Sequence, residues 1–274
     1  MKYDPVKNII GRIVRSRPLL RRIFYAALGL MFLREWYVKR ELRALFRERE
    51  IRSMLDAGSG FGQYSYYCAR RFPGLSITAV DVKEDQIRDC TEFFRSRGLS
   101  RVTFRVEDLL IPTHRNTFDL ILSVDVMEHI PDDMAVFRNF ARALRPGGAL
   151  LINTPSDQGG SDTAREGHEG FIEEHARSGY GAEEIAGKLR DAGLTPEHVR
   201  FTYGPWGMRA WRIGIKVPML LLNRSRLWFL FLPFYYLLAL PVTIAMMALD
   251  YRSTLKSGAG LLVLARKLLG SGSV

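Results

Sequence analysis

The sequence predicts an α/β fold built on a parallel sheet, and three observations carry that expectation. Between residues 51 and 204, short apolar runs alternate with amphipathic stretches, strand then helix. The first such run ends in a glycine-rich turn directly before a helical pattern. Acidic residues recur at strand ends, at Asp56, Asp81, Asp108 and Asp125, on the edge where an open α/β sheet gathers its ligands.

The elements follow in order. Residues 9–47 read as helical, amphipathic to apolar. Within them IFYAALGLMFL (23–33) has 11 residues without a charge, too short to span a bilayer. Arg21 and Arg22 precede it, and Arg34, Lys39 and Arg40 follow, the composition of an interfacial helix. No small-residue cleavage site follows, so the segment does not read as a signal peptide. IRSMLDAG (51–58) is a strand and GQYSYYCARRF (62–72) a helix. LSITAVDV (75–82) is a strand, and EDQIRDCTEFFRSRG (84–98) a helix closed by Gly98. RVTFRVEDL (101–109) and FDLILSVDV (118–126) are strands. PDDMAVFRNFARALRPGG (131–148) is a helix with Pro131 in its first turn and a Pro-Gly stop. ALLINTP (149–155) is the fifth strand, and residues 156–170 form a polar loop. AEEIAGKLRDAG (182–193) is a helix and TPEHVRFTYG (195–204) a strand.

Then the alternation stops. Residues 205–226 mix aromatics and VPMLLL with Arg209, Arg212, Lys216, Arg224 and Arg226. Residues 227–249 are 23 positions without a charge, interrupted by Pro233 and Pro241. GAGLLVLARK (258–267) is a late strand. The expected organisation is therefore a basic amphipathic N-terminal segment (1–49), a catalytic core (50–204), a basic and apolar membrane-associated insert (205–256) and a final core strand (257–270).

Charge sharpens this division. The net charge is +11, but residues 1–50 and 201–274 each carry +8 while residues 51–200 carry −5. The basic flanks mix arginines with long apolar runs, which favours an anionic membrane surface over nucleic acid. Cys68 and Cys90 are too few for a disulfide framework or a zinc site, so the expected compartment is reducing and no metal is expected.

The chemistry-bearing motif is Asp56-Ala57-Gly58-Ser59-Gly60-Phe61-Gly62. Glycines there permit a tight turn and a close approach of backbone to ligand, next to a helix N-terminus. The spacing D-x-G-x-G-x-G differs from the dinucleotide G-x-G-x-x-G, and the leading acid suits a ligand carrying an amino group. Asp81, 19 residues after Gly62, fits a carboxylate accepting both ribose hydroxyls. Asp108, after Glu107, can accept from an adenine amino group. Asp125, Glu128 and His129 follow the fourth strand on the same edge.

Taken together, LDAGSGFG, VDV, VEDL, DLILSVDVMEHI and RALRPGGALLINTP resemble the class I S-adenosylmethionine-dependent methyltransferases, most of all the quinone-biosynthesis subgroup. The resemblance covers roughly residues 50–200. It implies a Rossmann-like seven-stranded sheet with helices on both faces, whose last two strands pair antiparallel, with the apolar insert between them. It implies S-adenosylmethionine as cofactor, with Asp56, Gly58, Gly60 and Gly62 on its methionine side, Asp81 at the ribose and Asp108 at the adenine. Ser59, Tyr64, Val82, Glu107, Leu109, Ser123 and Asp125 complete the expected cofactor set. The family's Glu-His pair falls on Glu128 and His129.

A base near a phenol or enol acceptor would assist transfer, and His129, His168 and His175 are the candidates, with Glu128 beside them and Tyr180 in the same loop region. The expected reaction is methylation of a lipophilic, membrane-resident acceptor: a quinone precursor, isoprenoid, pigment or lipid. Two alternatives come from other classes. One is a membrane-docked S-adenosylmethionine-binding protein without turnover; the other is an RNA methyltransferase with basic arms. The Asn/Asp-Pro-Pro-aromatic motif of amino-methylating nucleic-acid enzymes does not occur, since the fourth strand runs into Ser123-Val124-Asp125-Val126. Topology adds one expectation. The resemblance implies that the strands on both sides of residues 227–249 pair in one sheet, so the chain would return to the side it left. The apolar run is then a monotopic hairpin at a cytoplasmic membrane face, broken near Pro233 or Pro241, rather than a single span.

Overall fold

The computed structural model describes residues 18–159 and 176–269. They fall into two compact units: one within 38–204 and 254–274, the other within 1–37 and 205–253.

The larger unit is built on a seven-stranded sheet: β1 (Ser53–Ala57), β2 (Ser76–Asp81), β3 (Val102–Val106), β4 (Phe118–Val124), β5 (Leu144–Pro155), β6 (Leu194–Thr202) and β7 (Gly260–Lys267), ordered β3-β2-β1-β4-β5-β7-β6. The first five run parallel, whereas β7 is antiparallel to both β5 and β6. The expected antiparallel final pair is therefore present. β1, β4 and β5 are buried along most of their length, which is why they read as nearly unbroken apolar runs. Strand order reverses between β1 and β4, the switch point at which such sheets bind ligands beyond their C-terminal ends.

Helices pack on the sheet by single apolar stripes. α3 (Gln63–Arg71) follows the glycine turn, and α4 (Glu84–Ser96) buries Ile87, Cys90, Phe93 and Phe94, spaced for one helical face. α5 (Asp133–Ala143) buries Val136, Phe137, Phe140 and Ala141. Its N-cap is Asp132, whose side chain accepts from Ala135 N at 3.1 Å, so Pro131 lies just before the helix rather than in its first turn. α6 (Ala182–Asp191) buries Ile185, Ala186 and Leu189. The Pro-Gly sequence at 146–148 does not end in a loop: β5 runs through it from Leu144, with a register shift against β4. β3 stops at Val106, leaving Glu107 and Asp108 beyond the strand.

The smaller unit is helical. It contains α1 (Pro18–Met31), the start of α2 (Leu33–Glu48) and residues 205–253 of the insert between β6 and β7. The insert is α7 (Pro205–Trp211), a π-helical turn (Arg212–Lys216), α8 (Val217–Arg224), a 3-10 turn (Arg226–Leu230) and α9 (Leu232–Arg252). The insert folds back on itself, but not where expected: residues 227–249 form no hairpin of their own and lie in the 3-10 turn and one continuous helix. Pro233 sits in the first turn of α9 and Pro241 lies inside a continuous helix; the reversal occurs at Ser225, whose backbone is extended. Proline at the first helical positions loses no hydrogen bond that the helix could have made, so Pro233 starts α9 instead of breaking it. The two arms are tied by Tyr235 OH donating to Ile213 O at 2.6 Å and Tyr236 OH donating to Gly214 O at 2.8 Å. A side chain at Gly207 would meet Leu33 and Asp250 within 3.0 Å, which explains the glycine.

Candidate functional site

The C-terminal ends of β1, β2 and β4 hold the expected residues together. The turn after β1 is held by Gly58 N and Ser59 N, both donating to Val80 O, at 2.9 and 2.8 Å. Gly58, Gly60 and Gly62 all have positive φ, at 79°, 51° and 75°, a region side chains rarely adopt. Their surroundings give them different tasks. A Cβ at Gly58 would come within 2.2 Å of Val126 Cγ2, and one at Gly62 would press on Cys90, Phe94 and Phe104 at 3.3–3.4 Å. A Cβ at Gly60 would meet nothing within 4 Å. Gly58 and Gly62 are therefore close-packing positions, and Gly60 faces open space at the sheet edge.

The acids surround that space. Asp56 is buried and accepts from Ser65 Oγ at 2.6 Å. Asp81 accepts from Gly60 N at 2.9 Å through Oδ2 and from Lys83 N at 3.0 Å through Oδ1. A carboxylate has about four lone-pair positions, so two remain for hydroxyl groups. Val82, beside it, is exposed. Two buried hydroxyls on this edge, Ser59 Oγ and Ser123 Oγ, have no hydrogen-bond partner among the described residues. Buried polar atoms of that kind need an explanation, and a polar ligand supplies one. Tyr64 is buried in the first turn of α3. An open glycine edge, a tethered carboxylate and orphaned hydroxyls fit a ligand with a ribose and polar groups.

Other expected residues are placed differently. Glu107 is held by His114 Nε2 at 2.9 Å, a contact that sequence spacing did not suggest. Asp108 is exposed, and its Oδ1 accepts from Leu110 N at 2.9 Å in a local turn. Leu109 packs on the core, and Asn139 Nδ2 donates to its carbonyl at 2.9 Å. Asp125 has φ 52°, one of three non-glycine residues described with positive φ, and its N donates to Asn153 O at 2.8 Å. Strain of this kind is retained where a side chain must be aimed.

Glu128 and His129 lie in a 3-10 turn, Met127–His129, just after β4. They part company: Glu128 is buried and accepts from Thr154 Oγ1 at 3.0 Å, whereas His129 is exposed. His168 and His175 lie outside the described residues. Tyr180 is no base. It is fully buried, and its OH donates to Asp133 Oδ2 at 2.8 Å and Met127 O at 3.1 Å. Burial, and then the hydrogen bond to Asp133 and its charge, push the phenol far above its ordinary pKa.

Spacing alone did not reveal the cluster around Asp133. Its carboxylate takes Lys188 Nζ at 2.7 Å, Tyr180 OH and the guanidinium of Arg177. Burial raises the Asp133 pKa, but the Lys188 and Tyr180 hydrogen bonds and the two cations more than offset that, and the group lies below the usual aspartate value. Ala176 N also donates to Glu128 O at 2.9 Å, so this cluster fixes the point where the chain after β5 re-enters beside Glu128.

Similarity to known proteins agrees with this geometry. Residues 55–152 match the family model described as a methyltransferase domain. A methyltransferase from Streptomyces halstedii, GfsG, is 37% identical over 101 residues, which are 36% of this chain and 36% of that protein. The chain thus aligns with about a third of that relative's length. A ubiquinone biosynthesis O-methyltransferase of Xanthomonas axonopodis pv. citri is 30% identical over 169 residues, 57% of this chain and 69% of that protein. The fold matches that of Haemonchus contortus phosphoethanolamine N-methyltransferase 2, solved with S-adenosyl-L-methionine, at a TM-score of 0.58 and 22% identity over 84% of this chain and 52% of that one.

Proposed function

Because the chain belongs to the class I S-adenosylmethionine-dependent methyltransferases, we propose that it methylates a lipophilic, membrane-resident small molecule: a quinone precursor, isoprenoid, pigment or lipid. The observation that carries the cofactor side is the Asp56–Gly62 loop, with Gly60 open to solvent space and its N–H fixed by Asp81. Asp81 would hold the ribose, Ser59 and Ser123 would bond the ligand's polar groups, and Asp56 and Asp125 would face its amino end. When bound, S-adenosylmethionine supplies a methyl group already activated by its sulfonium. The protein's task is then modest: align the acceptor in line with that methyl and exclude water. For an acidic hydroxyl acceptor, His129 is the candidate proton acceptor among the described residues.

Two observations support a lipophilic acceptor. One is the name of the Xanthomonas relative, which places that protein in ubiquinone biosynthesis. The other is α9, a 21-residue helix long and apolar enough to cross a membrane. The basic flanks would serve an anionic membrane surface at the cytoplasmic side, and the −5 charge of residues 51–200 makes a nucleic-acid acceptor the poorer fit. Mass spectrometry of lipid extracts from cells with and without the protein tests the acceptor class. A lipid species heavier by one methylene should depend on the protein. Identical lipid profiles, with a methylated RNA or protein instead, would exclude it.

A further inference from the structure

The insert carries an apolar surface that its own unit leaves uncovered. α9 is apolar on every side, as helices are inside a core or in lipid. Yet 17% of its most apolar 18-residue stretch is buried. Phe234, Leu237 and Leu238 are 70, 73 and 76% exposed, and Leu227, Leu230 and Phe231 stand open in the connection before it. A contiguous patch of this kind marks an interaction surface.

The charge around it identifies the partner. Residues 205–253 contain six Lys or Arg and one acid, Asp250. Asp250 is wholly buried, where it accepts Tyr37 OH at 2.9 Å and Gly207 N at 2.8 Å. Arg209, Arg212, Arg224 and Arg252 are exposed, so the surface of this segment presents cations and no carboxylate. A second copy would bring like charges together, whereas a layer of anionic headgroups complements them. Arg209 lies 4.9 Å over the ring of Trp206, and Lys216 lies 5.9 Å from that of Trp211, pairings suited to headgroup depth.

We propose that the hairpin from α7 to α9 is a monotopic docking element that lies along the headgroup–acyl boundary of an anionic bilayer. This extends the proposal of a membrane-resident acceptor by naming the surface that meets the membrane. Lying flat, rather than inserting end-on, follows from the arginines. Arg224 closes α8 eight residues beyond Lys216, about 12 Å of helix. An end-on hairpin would carry it toward the middle of the hydrocarbon, where a charge is expensive.

The full chain is tested by sedimentation with phosphatidylglycerol/phosphatidylcholine vesicles against phosphatidylcholine alone. Binding should be at least about tenfold tighter to the anionic vesicles. The triple variant L230E/L237E/L238E changes exposed side chains, so it should keep the wild-type circular dichroism melt and cofactor affinity and lose vesicle binding about tenfold or more. Cys68 and Cys90 are buried, so cysteines placed by Ser225→Cys and Ser253→Cys report alone. Both should react with an impermeant maleimide added outside the vesicles. Protein left in the supernatant overturns the proposal. So does labelling of one site only, which means a span, and so does a dimer in light scattering that the triple variant abolishes, which means a second copy covers the patch. Methylation of a detergent-solubilised lipid extract reads the acceptor separately. If it persists while vesicle binding fails, docking is wrong and the acceptor proposal stands.

Discussion

Asp81→Ala lowers affinity for S-adenosylmethionine by about 2–4 kcal/mol, roughly 30- to 1,000-fold. The side chain ends β2, and the backbone N–H groups of Gly60 and Lys83 fix both carboxylate oxygens. Its removal takes away the proposed acceptor for two ribose hydroxyls and also frees the turn that carries Gly60. Gly60→Val should remove binding altogether, since its side chain would point into space that holds no protein atom within 4 Å, and its φ of 51° adds a cost in backbone strain that a melt would read separately. Gly58→Val is the contrasting substitution. It would collide with Val126, so its loss should appear first in stability. Titration calorimetry on folded Asp81→Ala and Gly60→Val would sink the cofactor assignment if both bound as wild type does.

Asp133→Ala should destabilise the fold by about 2–4 kcal/mol, because it leaves Lys188, Arg177 and the Tyr180 hydroxyl around a vacated carboxylate position. The partly exposed cations can still reach water, which keeps the loss below that of a sealed charge. The pH dependence has a definite sign. Asp133 is lowered in the fold, as are Glu41, beside His198 and Arg200, and Asp119, beside Arg145 and Ser53. A lowered carboxylate contributes stability in full above its unfolded value, about pH 4, and loses it as pH falls through the folded value. Wild-type stability should therefore hold down to about pH 5 and then fall, and Asp133→Asn should fall less steeply. Denaturant melts from pH 3 to 7 read this, and parallel acid limbs for the two proteins would contradict it.

Much of the sheet was legible because parallel strands buried on both faces leave unbroken apolar runs, as in LILS of β4 and ALLIN of β5. The glycine loop was legible because positive φ selects glycine strongly, and the acids were placed by the strands that end beside them. What spacing cannot carry is partnership across the chain. Glu107 looked like a ligand group, yet His114 folds back onto it. Tyr180 looked available, and Asp133, 47 positions earlier, binds its hydroxyl. Pro233 and Pro241 suggest a break inside residues 227–249, yet proline at the start of a helix fits without strain, α9 runs on through Pro241, and the chain reverses earlier, at the extended Ser225. At Gly62 the structure adds a packing reason that spacing does not show: a Cβ there would press on Cys90 and Phe94 of α4 and Phe104 of β3.

The most direct measurement is methyl transfer itself. Purified protein, methyl-labelled S-adenosylmethionine and a detergent-dispersed membrane lipid extract are incubated, and label is counted in the organic phase, in RNA and in protein. Protein-dependent label should enter the organic phase and vanish with Asp81→Ala. Label that stays with the cofactor, or that enters RNA while the organic phase remains blank, would contradict the account.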